Sequence, residues 1–389
     1  MVKLFVPIIL IALAAMSDTY IYHRYINTTS MWRWSWWIPM AVVIGFFVKF
    51  LFFNKGLVEE YNTTNVFLLV MILVCVPKLL FTIFSFIPKV GAYIGIAVAA
   101  TIVCIVLWGI TAGFCQFRIR EVVYESPYVP KAFDGYRIVQ ISDAHTGSFR
   151  GPYKNLLAES LGEVNALKPD LICFVGDIEN FTPAELTDHK AEYSQLKAKD
   201  GVIAVMGNHD YSSYVKVSPR ERAAMVAETR QVQRDFGWDL LENESRVIRR
   251  DNGDSIVIVG EENWGMPPFP QYGNMKKATA TLNINKEKHL ADDGFVVMLS
   301  HDPNAWEEHV LPVIHPDITL SGHTHGTQMT FFGWSPASMM YKYWGGESFK
   351  RDKERNMMIS VSTGIGGNFP FRFNLPREAV VITLKRSER

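Results

Sequence analysis

The chain has 389 residues with 39 basic and 39 acidic side chains, so its formal net charge is zero. This length allows two or three domains, and the charge balance excludes the strong global field that attracts nucleic acid. The balance conceals an asymmetry, because residues 1–117 are overwhelmingly apolar and nearly all acidic residues follow position 118. We therefore expect two physically different domains, at 1–117 and 118–389.

The first part contains long apolar stretches near residues 4–22, 36–53, 65–87 and 91–115. A helix needs roughly 20 mostly apolar residues to cross a bilayer. These stretches predict an N-terminal α-helical transmembrane bundle of about four helices. The first stretch could instead be a secretory signal, because LFVPIILIALAAM is short and follows Lys3. Three further stretches and the lack of an obvious cleavage site favour a membrane span.

Two local features modify this picture. Pro77 and Lys78 interrupt the third stretch, so they require a kink, a cavity or a partner for the charge. The aromatic run MWRWSWW at 31–37 directly precedes the second stretch, where indole rings settle at the bilayer surface. Membrane anchoring is therefore favoured for this run over binding of a lipid or ligand.

Basic residues in short loops indicate the orientation of the chain. With four spans, one side carries six of them and the other side three. The six are Lys3, Lys49, Lys55, Arg118, Arg120 and Lys131, and the three are Arg24, Arg33 and Lys89. This excess predicts a multi-pass integral membrane protein with a cytoplasmic C-terminal domain, although losing one span from the count would reverse the orientation. The cysteines form no disulfide framework that would indicate an oxidising compartment.

The second part alternates short strand patterns with amphipathic stretches. The strand patterns are RIVQIS, DLICFVG, GVIAVMG, SIVIVG, FVVMLS and DITLSG, all rich in Val and Ile and closed by Gly or Ser. Residues 153–168 and 219–236 read as helices. This alternation predicts an α/β domain, a layered β-sandwich flanked by helices.

Residues that can bind metals follow five of these strands. They are Asp143 and His145, Asp177, Asn208 with His209 and Asp210, His301, and His323 with His325. Each group alone could be a turn, a helix cap or an exposed pair. Strand ends converge on one crevice in an open α/β sheet, and the mixed oxygen and imidazole set suits Mn, Fe or Zn. Their coincidence therefore favours a metal site.

The same residues form ordered motifs that resemble the calcineurin-like metallophosphoesterase superfamily. The motifs are D-x-H (Asp143, His145), G-D-x-x-N (Gly176, Asp177, Asn180), G-N-H-D (Gly207 to Asp210), a single His (His301) and G-H-T-H (Gly322 to His325). They lie in the family's order, and the resemblance covers roughly residues 120–385. The tail STGIGGNFPFRFNLPREAVVITL is similar to the closing block of the membrane-associated branch.

The resemblance implies a role for each matching residue. Asp143, His145 and His325 would hold one divalent ion, Asn208, His301 and His323 the second, and Asp177 both. Mn is favoured over Fe, Zn or Mg. His209 would protonate the leaving group and Asp210 would orient its ring, with a purely structural histidine as the alternative. Asn180 and Arg372 are weak candidates for substrate binding. For Arg372, Asn374 and Arg377 a structural role is favoured over contact with the substrate.

The first motif also has a local geometric interpretation. Asp143 and His145 alternate past Ala144, so in an extended chain their side chains would lie on the same side and could bind one ion. Ala144 replaces a bulkier apolar residue of the family pattern, and Gly326-Thr327-Gln328 replaces a second Gly after the last His. Neither change removes a ligand, so both bear on the fit of the substrate.

The segment MTFFGWSPASMMYKYWGG at 329–346 is rich in aromatic residues and Met. It could be buried core, or a lid or groove for an acyl chain, and the nearby apolar stretches make the second interpretation as strong as the first.

Taken with the resemblance, these features predict a membrane-anchored dinuclear metal phosphohydrolase. A hydroxide bridging two ions would cleave a phosphodiester or pyrophosphate, because two ions about 3.5–4 Å apart lower the pKa of water from about 15.7 to about 7. The expected partners are a phosphorylated small-molecule or lipid substrate and membrane lipids, without nucleic acid. A membrane sensor or scaffold with a non-catalytic metal site is the alternative. A transporter is disfavoured because Lys78 is the single clear intramembrane charge.

Overall fold

The computed structural model of the chain describes residues 2–26, 31–53, 58–285, 289–291, 294–352 and 355–388. Lys55, which contributes to the predicted orientation, lies outside these residues. The chain divides into two compact units, Met1–Thr111 and Ala112–Arg389.

The apolar stretches of the first unit are mainly helical where the structure describes them. Its α-helices are α1 (Val2–Ile21), α2 (Ile38–Phe53), α3 (Val58–Ser85) and α4 (Gly91–Trp108). Helix α3 packs against α1, α2 and α4. Among the described residues, Asn65–Ser85 and Gly91–Gly113 are long and apolar enough to cross a membrane. A bundle of four membrane spans therefore stays a prediction.

Lys78 has a partner that the sequence did not reveal. Its Nζ lies 2.6 Å from Oδ1 of Asp18, a fully buried residue of α1. The same ammonium lies 4.6 Å from the ring centroid of Trp36, whose indole donates to the Asp18 carbonyl at 3.3 Å. Helix α3 continues through Pro77. The view that Lys78 is the single charge in these stretches is therefore wrong, because α1 supplies its counter-ion.

The second unit is built on two mixed sheets. In chain order the strands are β1 (Phe117–Ser126), β2 (Arg137–Ile141), β3 (Leu171–Val175), β4 (Val202–Val205), β5 (Asp239–Leu240), β6 (Glu244–Arg249), β7 (Ser255–Gly260), β8 (Ile284–Asn285), β9 (Leu290–Ala291), β10 (Phe295–Leu299), β11 (Ile318–Ser321), β12 (Gly346–Arg351), β13 (Asn356–Val361) and β14 (Arg377–Arg386). One sheet has the order β1-β14-β2-β3-β4-β5 and the other β12-β13-β11-β10-β7-β6. Strands β8 and β9 pair separately. All six predicted strand segments are confirmed as strands.

The central strands of each sheet are parallel, so both of their faces are covered. In β2, Ile138 belongs to the core between the two sheets, whereas Val139 and Ile141 point to the opposite face. That outer face packs against α5 (Leu156–Ala166) and its surroundings, including Trp238. Alternate residues of one strand thus fill two different cores, which explains the unbroken apolar runs.

The remaining helices are short apart from one. They are α6 (Lys190–Ser194), α7 (Pro219–Asp235) and α8 (Met275–Ala278). Helix α7 begins at a capping box in which Ser218 and Glu221 each accept the other's main-chain N–H. Helix α8 contributes Met275 to the core on the outer face of the second sheet. The predicted α/β domain with layered mixed sheets and helices outside is confirmed.

A buried polar contact joins the two sheets beneath the strand ends. The Gln140 side chain on β2 donates from Nε2 to the carbonyl of Ser321 on β11 at 2.7 Å and accepts from the Ser360 hydroxyl at 2.9 Å. These residues are fully buried. An unpaired amide would be costly in this core, so the contact fixes how β2 and β11 approach each other just before both strands end.

Candidate metal centre

The residues singled out at strand ends meet at one edge of the two sheets. Asp143 and His145 follow β2, Asp177 follows β3, and Asn208 follows β4. His301 follows β10, and His323 and His325 follow β11. All seven side chains are buried. Because β2, β3 and β4 are parallel, as are β10 and β11, their carboxyl ends bring these residues together.

The backbone at these positions is not extended. Asp143 and His145 have φ values of 53° and 44°, and Asp177, His323 and His325 have values of 57°, 72° and 51°. The argument from alternation past Ala144 is therefore wrong, and left-handed turns turn the two side chains toward each other instead. Such a conformation costs about 1–3 kcal/mol per non-glycine residue. Concentration of strain around one cavity is typical of a functional site.

Main-chain hydrogen bonds between the loops hold these turns. The Asp143 N–H donates to the Gly176 carbonyl at 2.9 Å, and the His145 N–H to the Asp177 carbonyl at 3.1 Å. The His323 N–H in turn donates to the Asp143 carboxylate at 2.9 Å. The loop after β2 is thus tied to the loops after β3 and β11.

One group of donor atoms consists of Asp143, His145 and His325, whose ligand atoms lie within 4.8 Å of one another. The Nε2 atoms of the two histidines are 3.1 Å apart, and His325 Nε2 lies 3.5 Å from Asp143 Oδ1. Burial lowers the pKa of both imidazoles well below the usual range, and His209 and His145 respectively add to this effect. Two neutral imidazoles and a carboxylate converging in this way fit a divalent cation.

A second group consists of Asp177, His301 and His323. His301 Nδ1 donates to the Val175 carbonyl at 2.7 Å, and its Nε2 lies 3.1 Å from Asp177 Oδ2. Asn208 joins this group, because its Oδ1 lies 2.7 Å from Nδ1 of His323.

Asp177 connects the two groups. Its Oδ2 is 3.1 Å from His301 in the second group and 3.6 Å from His145 in the first. Its Oδ1 accepts the His209 main-chain N–H at 2.8 Å. The carboxylate therefore lies between the two sets of donors.

His209 stands beside the first group. Its ring meets the His145 ring edge-on with 4.7 Å between centroids and lies 4.3 Å from the Tyr214 ring. Its Nδ1 donates to the Asn180 carbonyl at 2.6 Å, because a carbonyl oxygen can only accept. This contact fixes the ring with a proton on Nδ1.

The Asp210 carboxylate contacts the main chain of two loops. Its carboxylate accepts main-chain N–H groups from Gly207, Asp177, Ile178 and Glu179. The His209 ring contacts the Asn180 carbonyl, and a role of Asp210 in orienting this ring stays a prediction. Asp210 thus ties the loop after β3 to the loop after β4.

These groups line a cavity of about 290 Å³. Its walls are formed by Asp177, Asn208, His209, Phe269, His323, Thr324, His325, Thr327, Gln328, Met340, Tyr341 and Asn368. The cavity therefore opens directly onto the Asp177 carboxylate and both groups of donors.

A protein-family comparison identifies the domain that carries these residues. The calcineurin-like phosphoesterase profile matches residues 136–327, which contain every motif described above. Residues 136–327 therefore form a calcineurin-like phosphoesterase domain. It is accordingly a metal-dependent hydrolase of phosphoester bonds.

The chain is similar in sequence to several named proteins. It is 29% identical over 277 residues to the uncharacterized metallophosphoesterase YkuE of Bacillus subtilis, with 69% of this chain and 86% of YkuE covered. A Danio rerio transmembrane protein with a metallophosphoesterase domain is 27% identical over 278 residues, which are 69% of this chain and 58% of the Danio rerio protein. The UDP-2,3-diacylglucosamine pyrophosphatase LpxG of Chlamydia trachomatis is 25% identical over 339 residues, covering 74% and 97%.

The weaker substrate-binding candidates have structural contacts in this metallophosphoesterase. Fully buried Arg372 donates from Nη2 to the carbonyls of Thr363 at 2.7 Å and Gly364 at 3.1 Å. Arg377 donates to the Phe114 carbonyl and the Ser160 hydroxyl. These contacts support the structural alternative for both arginines.

The side chain of Asn180 is buried, whereas Asn374 is exposed. Asn374 accepts through its carbonyl from the Thr330 hydroxyl at 2.9 Å. Neither asparagine is among the residues that line the cavity. Their described contacts are therefore with the protein rather than with the cavity.

Two residues near His323 escaped sequence reasoning. Its Nε2 lies 3.1 Å from the Tyr341 hydroxyl and 3.7 Å from Oδ2 of Asp302, a fully buried carboxylate. Because Nδ1 faces Asn208, these oxygens meet the opposite nitrogen and fix the ring. Asp302 could have been suspected, since it follows His301 directly, whereas the distance from Tyr341 to His323 depends on the fold.

Proposed function

We propose that this chain is an integral membrane, dinuclear metal phosphohydrolase that cleaves a phosphodiester or pyrophosphate bond in a lipid-linked substrate. Residues 1–117 would form the multi-pass membrane region and residues 118–389 the catalytic domain. The observation that carries the proposal is the position of Asp177 between two groups of buried donors, 3.1 Å from His301 and 3.6 Å from His145.

The ligand assignment follows the two groups. Asp143, His145 and His325 would hold one ion, Asn208, His301 and His323 the other, and Asp177 both. Oxygen and imidazole donors suit Mn, Fe or Zn, and Mn is the ion we propose. Two bound divalent ions would supply Lewis-acid charge and an activated water for in-line displacement at phosphorus.

The protein's own contribution is positioning and proton transfer. His209 lines the cavity and is held through its Nδ1 proton on the Asn180 carbonyl. When protonated, its Nε2 would give a proton to the departing oxygen, which would otherwise leave as a strongly basic alkoxide. Phe269, Met340 and Tyr341 form other parts of the cavity wall.

The lipid-linked substrate class is supported by two separate observations. One is the similarity to LpxG, whose name describes a pyrophosphatase of UDP-2,3-diacylglucosamine and of whose length 97% is covered. The other is the pair of helices long and apolar enough to cross a membrane. We extend these to four spans with a cytoplasmic catalytic domain, on the excess of basic residues in the loops of one side.

The test uses purified full-length protein in detergent. With Mn added, it should hydrolyse bis(p-nitrophenyl) phosphate, and a chelator should abolish this activity. Asp177→Asn should lose both bound metal and activity, whereas Asp251→Asn, the same change at an exposed turn residue, should lose neither. A wild-type protein that binds two ions and cleaves neither this diester nor a lipid pyrophosphate would favour the sensor or scaffold instead.

A further inference from the structure

The segment at 329–346 exposes large apolar side chains instead of burying them. Phe332 is fully exposed at 109% of its reference area, and Met339, Met340 and Trp334 are exposed at 79%, 72% and 49%. The interpretation of this segment as buried core is therefore wrong for these residues. Large apolar groups clustered on a surface mark an interaction site more often than chance.

The tip of the segment is a tight hairpin. Phe331 and Trp334 exchange main-chain hydrogen bonds of 2.8 and 2.9 Å around the two turn residues. Phe332 and Gly333 have φ values of 50° and 82°, so both are left-handed. Asn, Asp or Gly normally occupies the first of these positions. A Phe held there is strained and fully exposed, which gives the isolated domain no benefit.

The base of this hairpin is fixed to the domain. The Thr330 N–H donates to the Phe373 carbonyl at 3.0 Å, and the Phe331 ring lies 5.5 Å from the Phe373 ring. On the other side, the Ser335 hydroxyl donates to the Gly326 carbonyl. The tip is thus a projection with a rigid base.

The hairpin also begins and ends at the wall of the metal cavity. Thr327 and Gln328 line the cavity before the hairpin, and Met340 and Tyr341 line it afterwards. Met340 is at once part of the cavity wall and part of the exposed apolar surface. A molecule reaching the cavity along this side would pass the exposed hairpin.

We propose that the hairpin Phe331–Trp334 docks into the interfacial layer of a lipid bilayer and holds the mouth of the metal cavity at the lipid surface. Trp and Phe are the side chains that favour this layer. The chain carries its own helices long enough to cross a membrane, which would keep a bilayer within reach. Docking stands on the hairpin geometry, whereas its use in capturing a substrate rests on the proposed function.

Photocross-linking of the full-length protein tests the docking directly. A photoreactive phenylalanine analogue replaces Phe332, or Phe349 as a control of the same residue type that is 57% exposed on β12. Each protein is reconstituted in vesicles of phosphatidylcholine and labelled phosphatidylglycerol. We expect roughly tenfold more lipid adduct at 332 than at 349, as burial of one Phe side chain would give. Equal adducts, or cross-linking of 332 to a second copy of the chain, would overturn the proposal.

A kinetic comparison separates docking from catalysis. Phe332→Ser should slow hydrolysis of a long-chain lipid phosphodiester in vesicles by roughly tenfold, with bis(p-nitrophenyl) phosphate hydrolysed as before. Phe332→Leu should retain most of the wild-type rate on the lipid substrate. Phe349→Ser should leave that rate unchanged. Equal losses on both substrates would overturn the docking role. If the wild-type protein hydrolyses neither substrate, the proposed function is wrong. The cross-linking experiment then still tests whether the hairpin docks into lipid.

Discussion

Replacing Asp210 should destabilise the loops that carry the candidate metal ligands, and slower proton transfer would be a secondary effect. Its buried carboxylate accepts N–H groups from Gly207 at 2.8 Å, from Asp177 and Ile178 at 2.9 Å, and from Glu179 at 3.3 Å. In Asp210→Ala these donors lose their acceptor while the surrounding loops stay buried.

The magnitude follows from the number of donors. An unsatisfied buried donor costs about 1–3 kcal/mol, so four would cost about 4–12 kcal/mol if no water replaced the carboxylate. A typical domain is stable by only about 5–15 kcal/mol. We therefore expect Asp210→Ala to fold poorly, and Asp210→Asn, which keeps one of two acceptor oxygens, to lose roughly half as much. At about 2–4 °C per kcal/mol, the Tm of Asp210→Asn should fall by about 5 °C or more.

The assay combines thermal unfolding in detergent, the content of bound Mn, and hydrolysis of two substrates. Asp251→Asn serves as the control for loss of a carboxylate at an exposed position. If Asp210 instead orients His209, Asp210→Asn would keep the wild-type Tm and metal content and would slow only a substrate with a poor leaving group. That outcome would refute the reasoning from the four N–H groups.

Three further predictions address catalysis, metal affinity and topology. His209→Ala should keep its metals and slow a substrate with an alkoxide leaving group by roughly 10²–10⁴-fold, with a much smaller effect on a p-nitrophenyl ester. Equal losses on the two substrates would contradict its role as an acid. Asp302→Ala should weaken metal binding by about 10–100-fold through His323, and an unchanged affinity in a metal titration would remove that positioning role. A reporter fused after Arg389 should behave as cytoplasmic, and labelling of an introduced surface Cys in intact spheroplasts would show the opposite orientation.

The strands and the composition of the site could be predicted because both depend on local sequence. A parallel strand covered on both faces must be apolar throughout, as in Leu171–Val175, and its end must turn. Polar residues such as Asp177 then occupy the turn. Several such turns at the same edge place their residues together without any knowledge of distances.

Contacts between segments distant in sequence could not be predicted in the same way. Asp18 and Lys78 lie in different helices, and only packing of α1 on α3 brings their charges to 2.6 Å. Tyr341 reaches His323 from a separate loop at 3.1 Å. Residue types gave no preference for these partners, because a tyrosine or an aspartate has many alternative roles.

The residues predicted to meet at the candidate metal centre do lie close together, although the local geometry predicted for Asp143 and His145 is wrong. Extended backbone would point Asp143 and His145 the same way, yet both adopt left-handed conformations, which cost about 1–3 kcal/mol each. The strain persists because hydrogen bonds to the loop after β3 over-determine the turn, through the carbonyls of Gly176 and Asp177. That same loop is held by Asp210 and carries the carboxylate between the two groups of donors. The geometry of the first motif is therefore imposed by the second and third motifs, which is why it cannot be deduced from the first motif alone.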